Sequence, residues 1–253
     1  MRLLAALVTV FFTSLASATT DSTDYSDMWW VPTESGWGAN VIQQGDILFV
    51  TLFVYDSSGI PTWYVSPQTT FQGGGLFTGP LFRTTGPYFG GPFNPQNVVA
   101  TQVGTLTFNA SSTANAALTY SVNGVNVNKA ITRQTFRTEN LAGSYMGGTT
   151  GTFSGCSQNG VAESFSTYTI QQTAANVTLN EFGEGYSCRY NGTLTQTGRT
   201  GMITGTGLCT DSSNQQSFNA TDVFASTDAI SMKFQFVVGA CRFSGRLGGV
   251  RRP

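Results

Sequence analysis

The sequence contains no histidine among its 253 residues. This absence excludes the Ser-His-Asp and Cys-His systems of nucleophilic catalysis, and it excludes zinc sites that use imidazole ligands. Charged residues are also scarce, at 10% of the chain, compared with about 25% in ordinary soluble domains. With a formal net charge of -1, the chain gives no electrostatic reason to expect a nucleic acid or an acidic membrane as a partner.

Continuous apolar runs long enough to span a bilayer, which takes roughly 20 residues, are also missing. The apolar run near the start extends only from Leu3 to Phe12, with Arg2 before it and the small residues Ala16-Ser17-Ala18 after it. This order is typical of a signal peptide. We therefore expect a signal peptide at residues 1–18, a flexible segment at 19–24, and a secreted or periplasmic protein with no membrane span after cleavage.

Beyond this leader, no stretch has the length and the 3.6-residue periodicity of an amphipathic helix. Short runs of period 2 alternate instead with turn signals such as Asn123-Gly124, which is typical of antiparallel strands. We predict an all-β fold of two antiparallel domains, residues 25–139 and 140–253, each a small up-and-down barrel or sandwich of about eight strands. In the first domain the pattern places strands at 36–43, 47–55, 61–67, 76–84, 101–108, 116–122 and 125–136.

Cysteine is absent from the first domain, whereas the second contains Cys156, Cys188, Cys209 and Cys241. An even number in an exported chain predicts two disulfides. Positions 156 and 209 differ by 53, as do positions 188 and 241, and the same offset aligns residues 188–192 with 241–245. We interpret this ungapped register as an internal duplication.

Spacing alone allows three pairings of four cysteines. We favour pairing within each copy, Cys156 with Cys188 and Cys209 with Cys241, because this is the simplest product of duplicating a self-sufficient unit. The alternative follows from a turn at residues 197–199, which would place Cys188 opposite Cys209 within cross-strand reach.

The first domain holds all four tryptophans, which lie within three short segments. These are Asp27-Met28-Trp29-Trp30, Glu34-Ser35-Gly36-Trp37-Gly38 and Pro61-Thr62-Trp63-Tyr64. Together they resemble an uncharacterised β module of exported proteins from Gram-negative bacteria, and the resemblance covers mainly residues 27–66. It implies an exported compartment and a β architecture, and it transfers no catalytic residue.

The aromatic residues of this region suggest a binding face, because sugars and flat ligands stack on exposed rings. The candidate ligand-binding residues are Trp29, Trp30, Glu34, Trp37, Trp63 and Tyr64. The alternative is burial, the usual fate of large rings, and the neighbours Trp29 and Trp30 must point to opposite faces of a strand. We predict a non-catalytic binding protein that recognises a glycan or another envelope component, with no cofactor and no metal.

Two other functions remain open. A hydrolase of the glycosidase type would pair Glu34 with a second acid, and a structural or adhesive protein would need no small ligand. We expect Glu181 and Glu184 to lie in a solvated turn, since turns attract polar residues. The irregular, aromatic-containing segment 86–95 is either the rim of a site or a loop that packs its own rings over a barrel end, and we favour the packed loop.

Overall fold

The computed structural model describes residues 23–210 and 214–252 and contains two closed antiparallel barrels of eight strands each. The all-β fold with two domains is thus confirmed, and each domain is a barrel rather than a sandwich. The predicted signal peptide, residues 1–18, and residues 19–22 lie outside the described residues.

In the first barrel, each strand pairs with the next one along the chain, and β1 closes the barrel by pairing with β8. Alternation directs Leu48, Val50 and Leu52 of the third strand into the buried core, because successive side chains of a strand point to opposite faces. The strands are β1 (Asp27–Trp30), β2 (Gly38–Gln44), β3 (Ile47–Tyr55), β4 (Pro61–Gly73), β5 (Leu76–Thr85), β6 (Val99–Ala110), β7 (Asn115–Val122) and β8 (Val125–Arg133).

The second barrel has the same up-and-down order. Its strands are β9 (Gly143–Ser154), β10 (Gly160–Thr173), β11 (Asn176–Gly183), β12 (Tyr186–Thr197), β13 (Thr200–Cys209), β14 (Gln216–Ala225), β15 (Ala229–Val238) and β16 (Cys241–Arg251). The closing pair β16–β9 runs in register from Arg242 opposite Ser154 to Arg251 opposite Tyr145. The last strand is therefore held over its whole length.

Strand β4 extends well beyond the predicted limit at Pro67. Proline lacks an amide donor and is tolerated within sheets at bulges. Here the register between β4 and β5 shifts between Val65 and Thr70, so Pro67 lies where the regular ladder is interrupted and the strand can continue. The short strand β1 was not predicted, and β8 ends at Arg133 rather than at 136.

The disulfides join Cys156 to Cys241 and Cys188 to Cys209. The favoured pairing within each copy is therefore wrong, and the alternative through the turn between β12 and β13 is correct. Cys188 lies opposite Cys209 in the β12–β13 ladder, while the β16–β9 pairing brings Cys241 to the end of β9. Both bridges are compatible with an extracytoplasmic location.

The two barrels contact each other through the turn between β12 and β13. The Arg199 amide donates to Oδ2 of Asp27 at 2.8 Å, and the Gly198 amide donates to Oγ1 of Thr135 at 2.8 Å. Among residues 23–210 and 214–252, no helix is long and apolar enough to cross a membrane.

Candidate ligand-binding site

The second barrel contains a cavity of about 650 Å³. The cavity lies toward the end where β11 turns into β12 and β15 turns into β16, the opposite end from the turn that contacts the first barrel. Its aromatic wall consists of Phe153, Tyr190, Phe234, Phe236 and Phe243.

The rings of this wall pack against one another in a fixed order. Phe236 and Phe243 stack with centroids 5.2 Å apart and planes at 14°, and Phe153 tilts against Phe243 at 5.1 Å. Two paired glycines make room for Phe243, because a Cβ at Gly151 or Gly245 would lie 2.6 or 2.9 Å from its Cζ. The wall therefore depends on small residues in β9 and β16.

A polar cluster lies among these apolar rings. It is centred on Glu181, which is only 6% exposed. Its Oε1 accepts hydrogen bonds from the Ser166 hydroxyl and from the Tyr186 hydroxyl, both at 3.0 Å. Burial raises the pKa of the Glu181 carboxyl, and the two hydroxyl donors partly oppose that rise because they stabilise the charged form. The group therefore holds its proton to a higher pH than an exposed glutamate does.

The position of the Tyr186 hydroxyl depends on Gly183, which lies opposite Tyr186 in the β11–β12 ladder. A Cβ at Gly183 would lie 2.2 Å from Cε1 of the Tyr186 ring. Only glycine allows the ring to cross the neighbouring strand so closely. The sequence Glu181-Phe182-Gly183 thus supplies both the acid and the space for its hydrogen-bond donor.

Gln216, buried at the start of β14, is a second polar group that lines the cavity. Its Nε2 donates to Sγ of Cys209 at 3.5 Å. Its Oε1 is buried and has no hydrogen-bond partner within the part of the chain that the structure describes. A buried acceptor of this kind is costly to leave unpaired, so it marks a place where a donor fits.

The charged groups lining the cavity are acidic. Among the described lining residues, Glu181 is the acid whose side chain is buried, and no lysine or arginine occurs. The side chain of Glu163 lies on the exposed outer face of β10, where its Oε1 accepts a hydrogen bond from the Thr150 hydroxyl at 3.5 Å. Nearby, the pKa of Tyr168 is raised to about 12, chiefly by burial and to a smaller extent by the charge of Glu181. The cavity therefore combines aromatic walls with hydrogen-bond acceptors.

The expectation that Glu181 lies in a solvated turn is wrong, whereas Glu184 does lie in the exposed turn. In β11 the residues Val177, Leu179 and Glu181 share the inward face. Period-2 alternation from Val177 would have placed Glu181 inside the barrel. The signal was present, but the nearby glycines suggested a turn.

In the first barrel, the predicted site residues separate onto different surfaces. Trp29 is fully buried in the core, with its Nε1 donating to the Tyr25 carbonyl at 3.0 Å, so its ring is not available for stacking by a ligand. Trp30 is half-buried on the opposite face of β1, as the alternation of a strand requires. Trp63 and Tyr64 divide in the same way, with Tyr64 packed against the core and Trp63 outside.

Glu34 and Trp37 lie together in the β1–β2 loop. The Trp37 Nε1 donates to Oε2 of Glu34 at 2.9 Å, and Lys129 approaches the same oxygen at 2.7 Å while its Nζ lies 5.7 Å from the centre of the Trp37 ring. The hydrogen bond from Lys129, followed by that from Trp37, lowers the pKa of Glu34. A general acid of the glycosidase type needs a raised pKa. The arrangement around Glu34 therefore fits a structural role, in which its hydrogen bonds hold the β1–β2 loop, better than a role as a general acid.

The outer surface of β3 and β4 carries an exposed aromatic face, which we define as Phe49, Phe53, Tyr55 and Trp63. Phe53 lies opposite Trp63 in the ladder, and Trp63 is 50% exposed. The backbone of Gly38 lies beneath Phe53, since a Cβ there would be 2.6 Å from its Cζ. Gly38 of the segment 34–38 and Trp63 of the segment 61–64 thus lie on either side of Phe53 in β3.

The segment 86–95 does not pack its rings over the barrel end, contrary to the interpretation that we favoured. Phe89 is 91% exposed, and Tyr88 and Phe93 are exposed as well. The Tyr88 and Phe89 rings contact each other at 4.7 Å. The proline and glycine residues of this segment leave its aromatic side chains directed to solvent.

Comparison with known proteins shows similarity only at a low level. No protein-family model matches the sequence, and no curated protein matches it. The crystal structure of isotype 1 transferrin-binding protein B from serogroup B Neisseria meningitidis aligns with a TM-score of 0.33 and 9% identity over 86% of this chain and 52% of that chain. A protein of unknown function from the DUF3598 family of Nostoc punctiforme aligns with a TM-score of 0.29 and 12% identity over 91% of this chain and 95% of that chain. The chain thus spans about half the length of the transferrin-binding protein chain, and neither likeness supports an argument about function.

Proposed function

We propose that this chain is an exported, non-catalytic binding protein whose second barrel takes a small, largely apolar ligand into its cavity. The observation that carries the proposal is the 650 Å³ cavity, lined by aromatic rings around the buried carboxyl of Glu181. Ligand sites typically measure about 300–1,000 Å³ and combine apolar walls with a few convergent polar groups. Eight-stranded barrels can hold one small ligand.

The proposal includes the organisation of the mature protein. It consists of two domains, 25–139 and 140–253, and it acts in the periplasm or outside the cell after removal of residues 1–18. Two disulfides in the ligand-binding domain support that compartment, because such bonds persist in oxidising surroundings. In this arrangement the first domain presents the aromatic face, and the second encloses the ligand.

Filling the cavity should weaken ligand binding. Ala162 is half-buried in β10 and lines the cavity, so Ala162→Phe places a ring where a ligand would lie. We expect the affinity for the neutral fluorescent probe N-phenyl-1-naphthylamine to fall by about tenfold or more, since a filled cavity has no space to accommodate the probe without strain. The measurement is fluorescence enhancement on titration of the mature protein.

The matched control is Val161→Phe at the neighbouring position, whose side chain lies on the outer face and is 78% exposed. It adds the same ring to the same strand and should leave the affinity unchanged. Circular dichroism checks that both variants remain folded. Unsaturable binding to the unmodified protein, or equal affinity in the two variants, would contradict the cavity as the site.

A second candidate function is glycan recognition by the first barrel, favoured by the exposed aromatic face. Phe53 and Trp63 lie side by side on adjacent strands with solvent-accessible rings, and Tyr55 continues the face toward the same end of the barrel. Adjacent exposed rings offer a flat apolar surface of the kind on which sugars stack. Of the residues predicted from the sequence, Trp63 is the one that this surface retains.

Removing the Trp63 ring should weaken glycan binding. In a screen of polysaccharides and peptidoglycan fragments read by tryptophan fluorescence, we expect Trp63→Ala to lower the affinity by about tenfold, in the range of an aromatic contact together with its buried area. The control Phe165→Ala removes an exposed ring from the second barrel, and this variant should bind as the unmodified protein does. If no glycan gives a saturable response, glycan recognition is contradicted and a structural or adhesive role is favoured for this domain.

A further inference from the structure

The polar groups that line the second-barrel cavity indicate which polar groups a ligand should have in addition to its apolar part. Glu181 can accept hydrogen bonds in addition to those from Ser166 and Tyr186, because a carboxylate has two oxygens and both donors use Oε1. The buried Oε1 of Gln216 is also an acceptor, and it has no partner within residues 23–210 and 214–252. A complementary ligand therefore brings hydrogen-bond donors.

The charge of the cavity lining restricts the class of ligand further. Glu181 is almost completely buried, and no basic residue occurs in the described lining. A buried carboxylate is stabilised by a cation that desolvates with it and donates to it. The cavity supplies the anion of such a pair and leaves the cation to the ligand.

The aromatic rings favour the same kind of ligand. Phe234 lies 5.2 Å from Tyr190, and Phe236 stacks on Phe243, so several ring systems line one space with the acid. Ring faces attract cations through their quadrupole, most strongly where water is excluded. Aromatic walls around a carboxylate are therefore suited to an alkyl or aryl ammonium group.

We propose that the ligand is a small organic amine in its ammonium form, with Glu181 as the anionic partner, Gln216 as a second acceptor and the phenylalanine rings around the apolar part. This inference rests on the proposed cavity function. Burial raises the pKa of the unliganded Glu181, and an ammonium group beside it would favour the charged carboxylate instead.

The test compares three compounds of similar shape and different charge: phenethylamine, 2-phenylethanol and 3-phenylpropanoate. Each displaces N-phenyl-1-naphthylamine from the mature protein at neutral pH. We expect the amine to displace the probe at about tenfold lower concentration than the alcohol, because a charge-assisted hydrogen bond is stronger than a neutral one. The carboxylate should be the weakest of the three.

The variant Glu181→Gln removes the charge and retains the shape, and it should bring the amine and the alcohol to within about twofold of each other, since the charge-assisted bond is lost. Glu163→Gln is the control, because the Glu163 side chain is exposed on the outer face of β10, and this variant should retain most of the preference. Circular dichroism confirms that both variants fold.

The outcomes separate the two proposals. If the probe binds in the cavity and the unmodified protein shows no preference for the amine, the amine proposal fails while the cavity function stands. A preference that survives Glu181→Gln, or that disappears only in Glu163→Gln, also overturns it. If the probe itself does not bind, the proposed cavity function is contradicted, and the amine proposal that rests on it is contradicted with it.

Discussion

Removal of the Cys156–Cys241 disulfide destabilises the second barrel by about 4–5 kcal/mol, and removal of the Cys188–Cys209 disulfide by about 3 kcal/mol, if loop-closure entropy dominates. The two bridges close separations of 85 and 21 residues. The longer separation restricts the unfolded chain more, so the variant Cys156→Ala/Cys241→Ala should lose more stability than Cys188→Ala/Cys209→Ala.

The measurement is urea unfolding followed by two signals. All four tryptophans belong to the first domain, so their fluorescence reports the first barrel, whereas far-ultraviolet circular dichroism reports both. The circular dichroism transition of the second barrel should move to lower urea while the tryptophan transition stays in place. Loss of less than about 1 kcal/mol in either variant would contradict the entropic account, since it predicts several times more.

Replacing Arg133 by methionine destabilises the first barrel by about 3–5 kcal/mol, the usual cost of removing one partner from a buried ion pair. Arg133 is 2% exposed, and its guanidinium donates to Oδ2 of Asp27 at 3.2 Å and lies 5.1 Å from the Trp29 ring centre. Burial lowers the pKa of Arg133, while the hydrogen bond and charge of Asp27 raise it. Without the arginine, Asp27 keeps a buried negative charge.

The control is Arg137→Met, because Arg137 is exposed and pairs with Glu139 at 3.1 Å. Exposed pairs of this kind contribute about 0–1 kcal/mol. The double variant Asp27→Leu/Arg133→Met should lose less stability than Arg133→Met alone, because it leaves no unpaired charge. Equal losses in Arg133→Met and Arg137→Met, measured by urea unfolding with tryptophan fluorescence, would show that the buried pair has no special role.

Local alternation and turn residues were sufficient to predict most strands of the first barrel. The strand at 47–55 and the turn at Asn123-Gly124 follow directly from period-2 patterning and from the preference of that dipeptide for tight hairpins. Local rules did not determine the disulfide pairing, because it depends on which strands become neighbours when the barrel closes. The β16–β9 pairing that brings Cys241 to Cys156 joins residues distant in the chain.

The site was harder to predict than the fold for a related reason. Aromatic content drew attention to the first domain, but a strand places Trp29 in the core and Trp63 outside, so a run of rings in sequence does not make one surface. The second-barrel cavity is formed by residues from several strands, and Glu181 joins it only through the inward face of β11. Alternation alone identifies that face, while the empty space behind it follows from the closure of the whole barrel.

The two disulfides of the second barrel lie at the two seams between its halves, β12 with β13 and β16 with β9. On the proposed duplication, an offset of 53 residues exchanges one bridge for the other, because each joins the first cysteine of one copy to the second cysteine of the other. The halves therefore meet as the subunits of a two-fold symmetric dimer do. A four-stranded half by itself has two open edges and a one-sided apolar face, and closure requires a second copy to cover both.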